Sequence, residues 1–124
     1  MNWEKIKNNC PNSWSLFREQ SYVSESLWRA LSKTQEKLGK AVVMRMLYDF
    51  FDENRIFIFV TPEIQYTREI DEDGKNPHYV PEEWAYEIHD IAYHLDMDCP
   101  FRSRRKAEKA AFKKAFEIFE KRLK

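Results

Sequence analysis

The last part of the chain has the clearest pattern of apolar and polar positions. Residues 103–124 contain neither glycine nor proline, and their side chains separate by character when placed at about 100° per residue. One half of this helical wheel is apolar and consists of Ala107, Ala111, Phe112, Ala115, Phe116, Ile118, Phe119 and Leu123. Most of the other half consists of Lys106, Lys109, Lys113, Lys114, Glu117, Glu120, Lys121 and Lys124. The pattern predicts an amphipathic helix that buries one face and has Ser103 as its N-cap.

The middle of the chain predicts a helix followed directly by a strand. Residues 40–53 carry an apolar stripe, and Asn54 is suited to the unusual dihedrals that end a helix. Residues 56–60 are β-branched or aromatic at every position, which is typical of a strand buried on both faces or covered by a helix. An alternating pattern continues beyond this run until the acidic turn at residues 71–77.

Two other regions are harder to interpret. The first forty residues predict short helical pieces, interrupted at residues 10–13 and ending at Gly39. For residues 84–95 two interpretations are open, because Trp84, Tyr86 and Ile88 alternate as in a strand, whereas Trp84, Ile88, Ile91 and Leu95 share a narrow arc of a helix. The strand at residues 56–60 needs a hydrogen-bonding partner, so we favour a strand at residues 84–89.

Together these elements predict an α+β fold. Several helices would accompany a small antiparallel sheet, with the C-terminal amphipathic helix packed on that sheet. A chain of 124 residues is the size of a single domain, spanning residues 1–124. Nine Phe, six Tyr and four Trp supply enough buried area for one core and argue against disorder.

Cysteine usage and hydropathy indicate the compartment. Cys10 and Cys99 are predicted to be free thiols, since two widely separated cysteines do not make a disulfide framework. The longest apolar run, residues 56–60, is far shorter than the roughly 20 residues that cross a bilayer, and Met1 leads directly into charged sequence. We therefore expect a soluble cytoplasmic protein without a membrane partner.

Charge is distributed unevenly along the chain. Residues 49–98 hold fourteen carboxylates against three cations, a net charge of −11, whereas residues 101–124 carry +7 and residues 1–48 carry +4. The overall net charge of zero is therefore a cancellation between regions. Separated charge shapes the field of a protein and its choice of partners, but it identifies neither the partner nor the fold.

Two segments resemble a known group of proteins. Residues 47–54, Leu-Tyr-Asp-Phe-Phe-Asp-Glu-Asn, and the Ala- and Phe-rich residues 103–120 are similar to small uncharacterised proteins of bacteriophages and prophages. In that group the last helix begins Thr-Arg-x-Glu-Ala-Glu, whereas this chain has Ser103 at the cap and Lys106 where an acid is usual. The resemblance implies a helix, short sheet and helix arrangement and a phage accessory role in the host cytoplasm, and it brings no catalytic residues.

Candidate chemistry is sparse. His89, Asp90 and His94 form the only histidine cluster, but two histidines five residues apart do not match the four-residue spacing of zinc-binding helices. We interpret them as a polar surface and keep a metal or enzymatic site there as the weakest hypothesis. With only two glycines, a phosphate-binding loop is excluded. The sequence therefore predicts no catalytic residue, no metal and no cofactor, and a protein that is not an enzyme.

The charge pattern and the resemblance favour a non-enzymatic accessory protein. Its acidic surface would bind a host macromolecule, for example a host protein that itself binds nucleic acid, and so inhibit a defence system in the manner of an anti-CRISPR protein or redirect the host. The predicted contact residues are Glu69, Asp71, Glu72, Asp73, Tyr79, Glu82, Glu83, Trp84 and Tyr86. Self-association stays open.

An alternative function uses the basic segment that precedes the last helix. Arg102, Arg104, Arg105 and Lys106 could bind phosphates, with Phe101 stacking on a base. The same cations could instead pair with the acidic middle of the chain, and the neutral overall charge argues against a dedicated nucleic-acid-binding protein.

Overall fold

A computed structural model describes residues 1–65, 80–91 and 95–124. Its elements are α1 (Trp3–Asn9), α2 (Pro11–Gln20), α3 (Glu25–Lys33), α4 (Lys37–Glu53), β1 (Ile56–Gln65), β2 (Val80–Asp90), β3 (Leu95–Phe101) and α5 (Arg104–Leu123). The predicted α+β fold is confirmed, and so is the strand interpretation of residues 84–89. Ser103 caps α5 as predicted, since its side chain accepts a hydrogen bond from the Lys106 amide.

The three strands form an antiparallel sheet in the order β1-β2-β3, and α4 and α5 pack against it. Alternation along β1 decides which side chains they cover. Ile56 and Ile58 are buried, whereas Phe57 and Phe59 between them are exposed. Of the two predicted alternatives for this strand, the one with a helix on a single face is therefore correct.

The core between the helices and the sheet is built mainly from aromatic rings. Phe17, Phe51, Phe112 and Phe116 are fully buried, and burial of each such side chain is worth about 1.5–3 kcal/mol. The small side chains on the buried face of α5 also have no exposure, namely Ala107, Ala111 and Ala115. Their four-residue spacing leaves room for neighbouring elements along one stripe of the helix.

Three tryptophans form one cluster in the helical part of the core. The rings of Trp3, Trp14 and Trp28 lie with centroids 5.2–5.7 Å apart. Trp14 and Trp28 are buried, and Trp3 is half-buried at the edge. Aromatic pairs at these distances add about 0.5–1.5 kcal/mol to the area they bury.

One predicted helix end is wrong, and another is right in position, since α4 ends at Glu53 with Asn54 as its C-cap. Gly39 does not end a helix but lies in the first turn of α4, where a Cβ would come 2.5 Å from Thr34 Cγ2. Arg55, rather than Asn54, adopts the left-handed conformation after α4, with φ of 59° against −93°. The Arg55 amide then bonds the Asp52 carbonyl at 3.0 Å, which satisfies a free acceptor of the last turn.

Glu120 is the buried exception on α5. The sequence places it on the polar half of the helix, yet the side chain is buried because its carboxylate caps the N-terminus of α2. It accepts hydrogen bonds from the Ser13 amide at 2.8 Å, the Asn12 amide at 3.2 Å and the Asn12 side chain at 2.9 Å. The usual capping position of α2 is Cys10, whose side chain makes no cap bond, so the cap comes from a distant part of the chain.

Candidate functional site

The strongest candidate site is the face of the sheet that α4 and α5 leave uncovered. We define the open face as Phe57 and Phe59 of β1, Glu87 and His89 of β2, and Leu95 and Met97 of β3. The strand register arranges these six residues in two cross-strand rows. Phe57, His89 and Leu95 form the first row, and Phe59, Glu87 and Met97 form the second.

The open face is apolar and accessible to solvent. Phe57 is 41% exposed and Phe59 51%, and Leu95 and Met97 on β3 are 55% and 58% exposed. The other large exposed apolar side chains of the described ranges, apart from Ile91 beside β2, lie on or beside the helices, where Leu38 and Val42 are one turn apart on α4. On the open face, Phe57 and Phe59 lie on one side of β2, and Leu95 and Met97 lie on the other. Four large exposed apolar side chains on one sheet face are a feature of interaction sites.

A polar pair lies at the centre of the open face. Glu87 Oε2 and His89 Nε2 are 3.1 Å apart, and the His89 ring meets the Phe59 ring edge to face at 5.4 Å. A shallow depression of about 370 Å³ is lined by these three residues and Phe57. The pair provides one hydrogen-bonding point among the apolar side chains, and such a point favours binding of a partner in one orientation.

Carboxylates surround the open face on two sides, and we define the acidic rim as Asp52, Glu63 and Glu83. Asp52 of α4 shares a second depression, of about 490 Å³, with Phe57 and Phe59. Glu63 and Glu83 face each other across β1 and β2, although like charges directly opposite destabilise a strand pair. The pKa of the Cys99 thiol is raised, first by Glu63 and also by Glu83, which indicates that these carboxylates act together at one end of the sheet.

Other carboxylates of the acidic region are neutralised on the helix side of the sheet. Asp90 is 5% exposed and pairs with Arg122 at 3.6 Å, and Asp96 pairs with Lys114 at 3.7 Å. Strand alternation thus divides the net negative charge of residues 49–98 between the two faces. The predicted pairing of terminal cations with the acidic middle therefore occurs on one face and leaves the acidic rim available on the other.

The predicted contact residues have different outcomes. Glu69, Asp71, Glu72, Asp73 and Tyr79 lie outside the described residues, and Glu82 is described only as part of the β2 backbone. Glu83 belongs to the acidic rim, and Trp84 is half-buried.

Tyr86 cannot anchor a partner as predicted, because it is only 4% exposed on the helix side. Burial, followed by the nearby carboxylates of Asp96 and Asp98, raises its pKa to about 12. Its ring also stacks on Phe101 at 5.7 Å between centroids. Phe101 is therefore engaged within the protein, and this weakens its predicted role as a stacking partner for a base.

The basic segment at the start of α5 contains one cation that is paired within the protein and three that are exposed. Arg104 pairs with Glu108 at 3.3 Å, and the Glu108 carboxylate also accepts a hydrogen bond from Tyr48 at 3.1 Å. Arg102, Arg105 and Lys106 are exposed. A cation in the first turn of a helix opposes the helix dipole and costs about 0.3–1 kcal/mol. The start of α5 has three such cations, Arg104, Arg105 and Lys106, and Glu108 compensates the charge of Arg104.

The residues considered for chemistry show no catalytic arrangement. Both cysteines are free as predicted, with Cys10 buried and Cys99 exposed. The pKa of the Cys10 thiol is raised by burial and then by Glu120, which disfavours a reactive thiolate. Across residues 1–65, 80–91 and 95–124, no three His, Cys, Asp or Glu side chains are grouped to hold a metal ion; His94 lies outside these ranges.

Scans against protein-family models, curated proteins and solved structures found no match. Of the helices in the described ranges, none combines the length and apolar character of a membrane span.

The exposed residues of the open face were not predicted as a site, because residues 56–60 are apolar at every position and so do not indicate which side a helix covers. The alternation of Phe with Ile in that run was the only available signal.

Proposed function

We propose that this chain is a non-enzymatic, phage-encoded accessory protein that binds a host protein in the cytoplasm through the open face. The observation that supports binding is the joint exposure of Phe57, Phe59, Leu95 and Met97 on the sheet face that α4 and α5 leave uncovered. The phage origin follows from the sequence resemblance. The proposal relocates the predicted contact surface from Tyr86 to the opposite side of the same strand.

The shape of the open face favours a macromolecular partner over a small ligand. Its depressions are shallow and lie on a strand surface, whereas small-molecule sites enclose most of the ligand. Four large apolar side chains with the carboxylates of the acidic rim beyond them match the apolar centre and polar rim of protein interfaces, and the Glu87–His89 pair adds a hydrogen-bonding point. Phe59 and Met97 flank Glu87 in the second row and are the natural anchoring residues.

Charge complementarity defines the partner as a basic surface with apolar side chains. The acidic rim of Asp52, Glu63 and Glu83 is part of the net charge of −11 between residues 49 and 98. Opposite charge on the partner would steer the encounter and raise the association rate, most strongly at low salt. A groove through which a host protein binds nucleic acid has this chemistry, so occupation of that groove would inhibit the host protein.

The test is capture from host lysate by the immobilised wild-type chain at low salt. A captured protein is then purified and titrated with the wild type, with a double variant Phe59→Thr and Met97→Thr, and with Leu38→Gln. Leu38 is an exposed apolar residue of α4 outside the open face, so its variant is the matched control. Threonine preserves strand propensity, and exposed substitutions change stability by only about 0.5 kcal/mol.

We expect the double variant to lose roughly 1,000-fold in affinity, since two anchoring residues are each worth about 2 kcal/mol, while Leu38→Gln binds normally. A variant with Glu63→Lys and Glu83→Lys should bind more slowly and with weaker salt dependence. The captured protein should also release its nucleic acid when the chain is added. Capture of no protein at low salt, or equal affinity of the double variant and the wild type, would contradict the proposal.

A further inference from the structure

A second surface, separate from the open face, lies where α1, α4 and α5 meet. Two adjoining cavities there have volumes of about 390 and 350 Å³. Both are lined by Met1 and Lys109, so they are neighbours on either side of these two residues, and together we call them the trough. Neither cavity is lined by a residue of the sheet.

Cations line the trough along its length. Arg105 lines the first cavity, Lys109 lines both, and Lys113 lines the second. These residues are four apart on α5 and therefore form one stripe with a rise of about 6 Å per step. The other walls of the trough contribute Lys37 and Lys40 from α4 and Lys5 from α1.

These six cations are not neutralised within the described part of the protein. None of them forms an ion pair with a described residue. The two carboxylates that line the trough are engaged elsewhere, because Glu108 pairs with Arg104 and Glu117 with Lys114. The trough therefore concentrates positive charge in a chain whose net charge is zero.

The electrostatics of a neighbouring group agree with this geometry. The pKa of the Met1 amino group is lowered, first by burial and then by repulsion from Lys109 and Lys40. Repulsion from residues of two different helices means that their charges converge on the same space. An anion in that space would relieve the repulsion.

An aromatic surface completes the trough. Trp3 lines the first cavity and is half-exposed, while its ring is held by Trp14 at 5.7 Å and by Trp28 at 5.2 Å between centroids. A fixed indole beside a row of cations matches how proteins bind single-stranded nucleic acid, with phosphates on the cations and a base on the ring. A duplex keeps its bases stacked internally and cannot use that ring in the same way.

We infer that this trough binds single-stranded nucleic acid, with its phosphates along Arg105, Lys109 and Lys113 and a base on Trp3. Successive phosphates of an extended strand have a spacing comparable to the steps of the α5 stripe. Of the basic segment predicted from the sequence, Arg105 alone lines the trough, so this surface differs from one centred on Arg102, Arg104 and Lys106.

The experiment is fluorescence anisotropy of labelled oligo(dT) titrated with the full chain over a series of salt concentrations. The trough variant carries Arg105→Gln, Lys109→Gln and Lys113→Gln. The matched control carries Arg102→Gln, Lys121→Gln and Lys124→Gln, which removes the same charge from exposed residues that line neither cavity. Thermal unfolding of both variants verifies that they fold.

We expect the wild type to bind oligo(dT) and the trough variant to lose about ten-fold or more in affinity. Its salt slope should fall by about two, since three single-strand phosphate contacts contribute about 0.7 each. The control should retain most of the affinity. Trp3→Leu should weaken binding by about five-fold or more with an unchanged salt slope, a result that a purely electrostatic role would not give, and its thermal unfolding separates lost stacking from lost structure.

Three outcomes would overturn the inference. The first is absence of wild-type binding at low salt. The second is an equal loss in the trough variant and the control, which would indicate non-specific attraction between charges. The third is competition by inorganic polyphosphate as effective as that by oligo(dT), together with no effect of Trp3→Leu, which would exclude recognition of a base.

Discussion

The buried carboxylate of Glu120 gives the sharpest prediction about stability. Replacement by alanine removes the acceptor for the Ser13 amide, the Asn12 amide and the Asn12 side chain at the start of α2. Ser13 has no exposure, so its amide would lose its partner without gaining water, whereas Asn12 is exposed and can be hydrated. The cost therefore arises chiefly from one orphaned donor and one lost helix cap.

The magnitude follows from these two contributions. A buried donor without a partner costs about 1–3 kcal/mol, and loss of a capping group costs about 0.5–2 kcal/mol. We expect Glu120→Ala to lower the free energy of unfolding by about 3 kcal/mol, equivalent to a fall in Tm of roughly 10 °C for a domain of this size. Glu120→Gln keeps one oxygen for the Ser13 amide and should cost about half as much.

The assay is urea unfolding followed by tryptophan fluorescence as a function of pH. Burial raises the pKa of Glu120, but the hydrogen bonds from Ser13 and Asn12 outweigh burial and lower it below its ordinary value. The charged carboxylate thus stabilises the fold fully above the unfolded-state pKa of about 4.3, and this contribution is lost as the pH falls through the folded-state pKa. The stabilities of wild type and Glu120→Gln should converge in that acidic range.

Glu117→Gln is the matched control on the same helix. Glu117 is only half-buried, and its pair with Lys114 at 3.9 Å is solvated, so its loss should cost no more than about 1 kcal/mol. The reasoning is refuted if Glu120→Gln and Glu117→Gln are equally stable at neutral pH, or if the difference between Glu120→Gln and wild type does not shrink on acidification.

Two other predictions concern backbone strain and tyrosine ionisation. Arg55→Gly should raise the free energy of unfolding by about 0.5–1 kcal/mol, because glycine adopts the left-handed conformation without the cost that Arg55 bears; an unchanged or lower urea midpoint would contradict this. The pKa of Tyr48 is raised by burial and by Glu108, and that of Tyr86 is raised to about 12. Their stabilisation should be complete below the ordinary tyrosine pKa of about 10 and disappear as the pH rises through their folded-state values. Absorbance titration should therefore show at least two late-ionising tyrosines, and simultaneous ionisation of all tyrosines in the folded protein would count against it.

The elements that the sequence predicted correctly are those with a strong period and a local signal. The Ala and Phe stripe of α5, its cap at Ser103 and the apolar run of β1 all depend on neighbouring residues, and the structure has all three. The strand at residues 84–89 was predicted by a different route, since a strand needs a hydrogen-bonding partner whatever its own periodicity.

The incorrect or missing predictions depended on contacts between distant residues. Glu120 has the helical position of a surface residue, and only its contact with Ser13, far away in sequence, explains why it is buried. Gly39 suggested a helix end, but glycine fits this position because Thr34 lies close to where a Cβ would be. The exposure of Phe57 and Phe59 depends on where α4 and α5 lie, which the composition of β1 does not encode.

Hydrogen–deuterium exchange can show whether the open face is the surface that meets a host protein. The chain is labelled alone and in complex with the protein that it captures, and amide protection is compared by segment. We expect added protection in the segments around Phe59 and Met97, and no change in α2. Protection confined to the helices, with β1 and β3 exchanging as in the free chain, would contradict it.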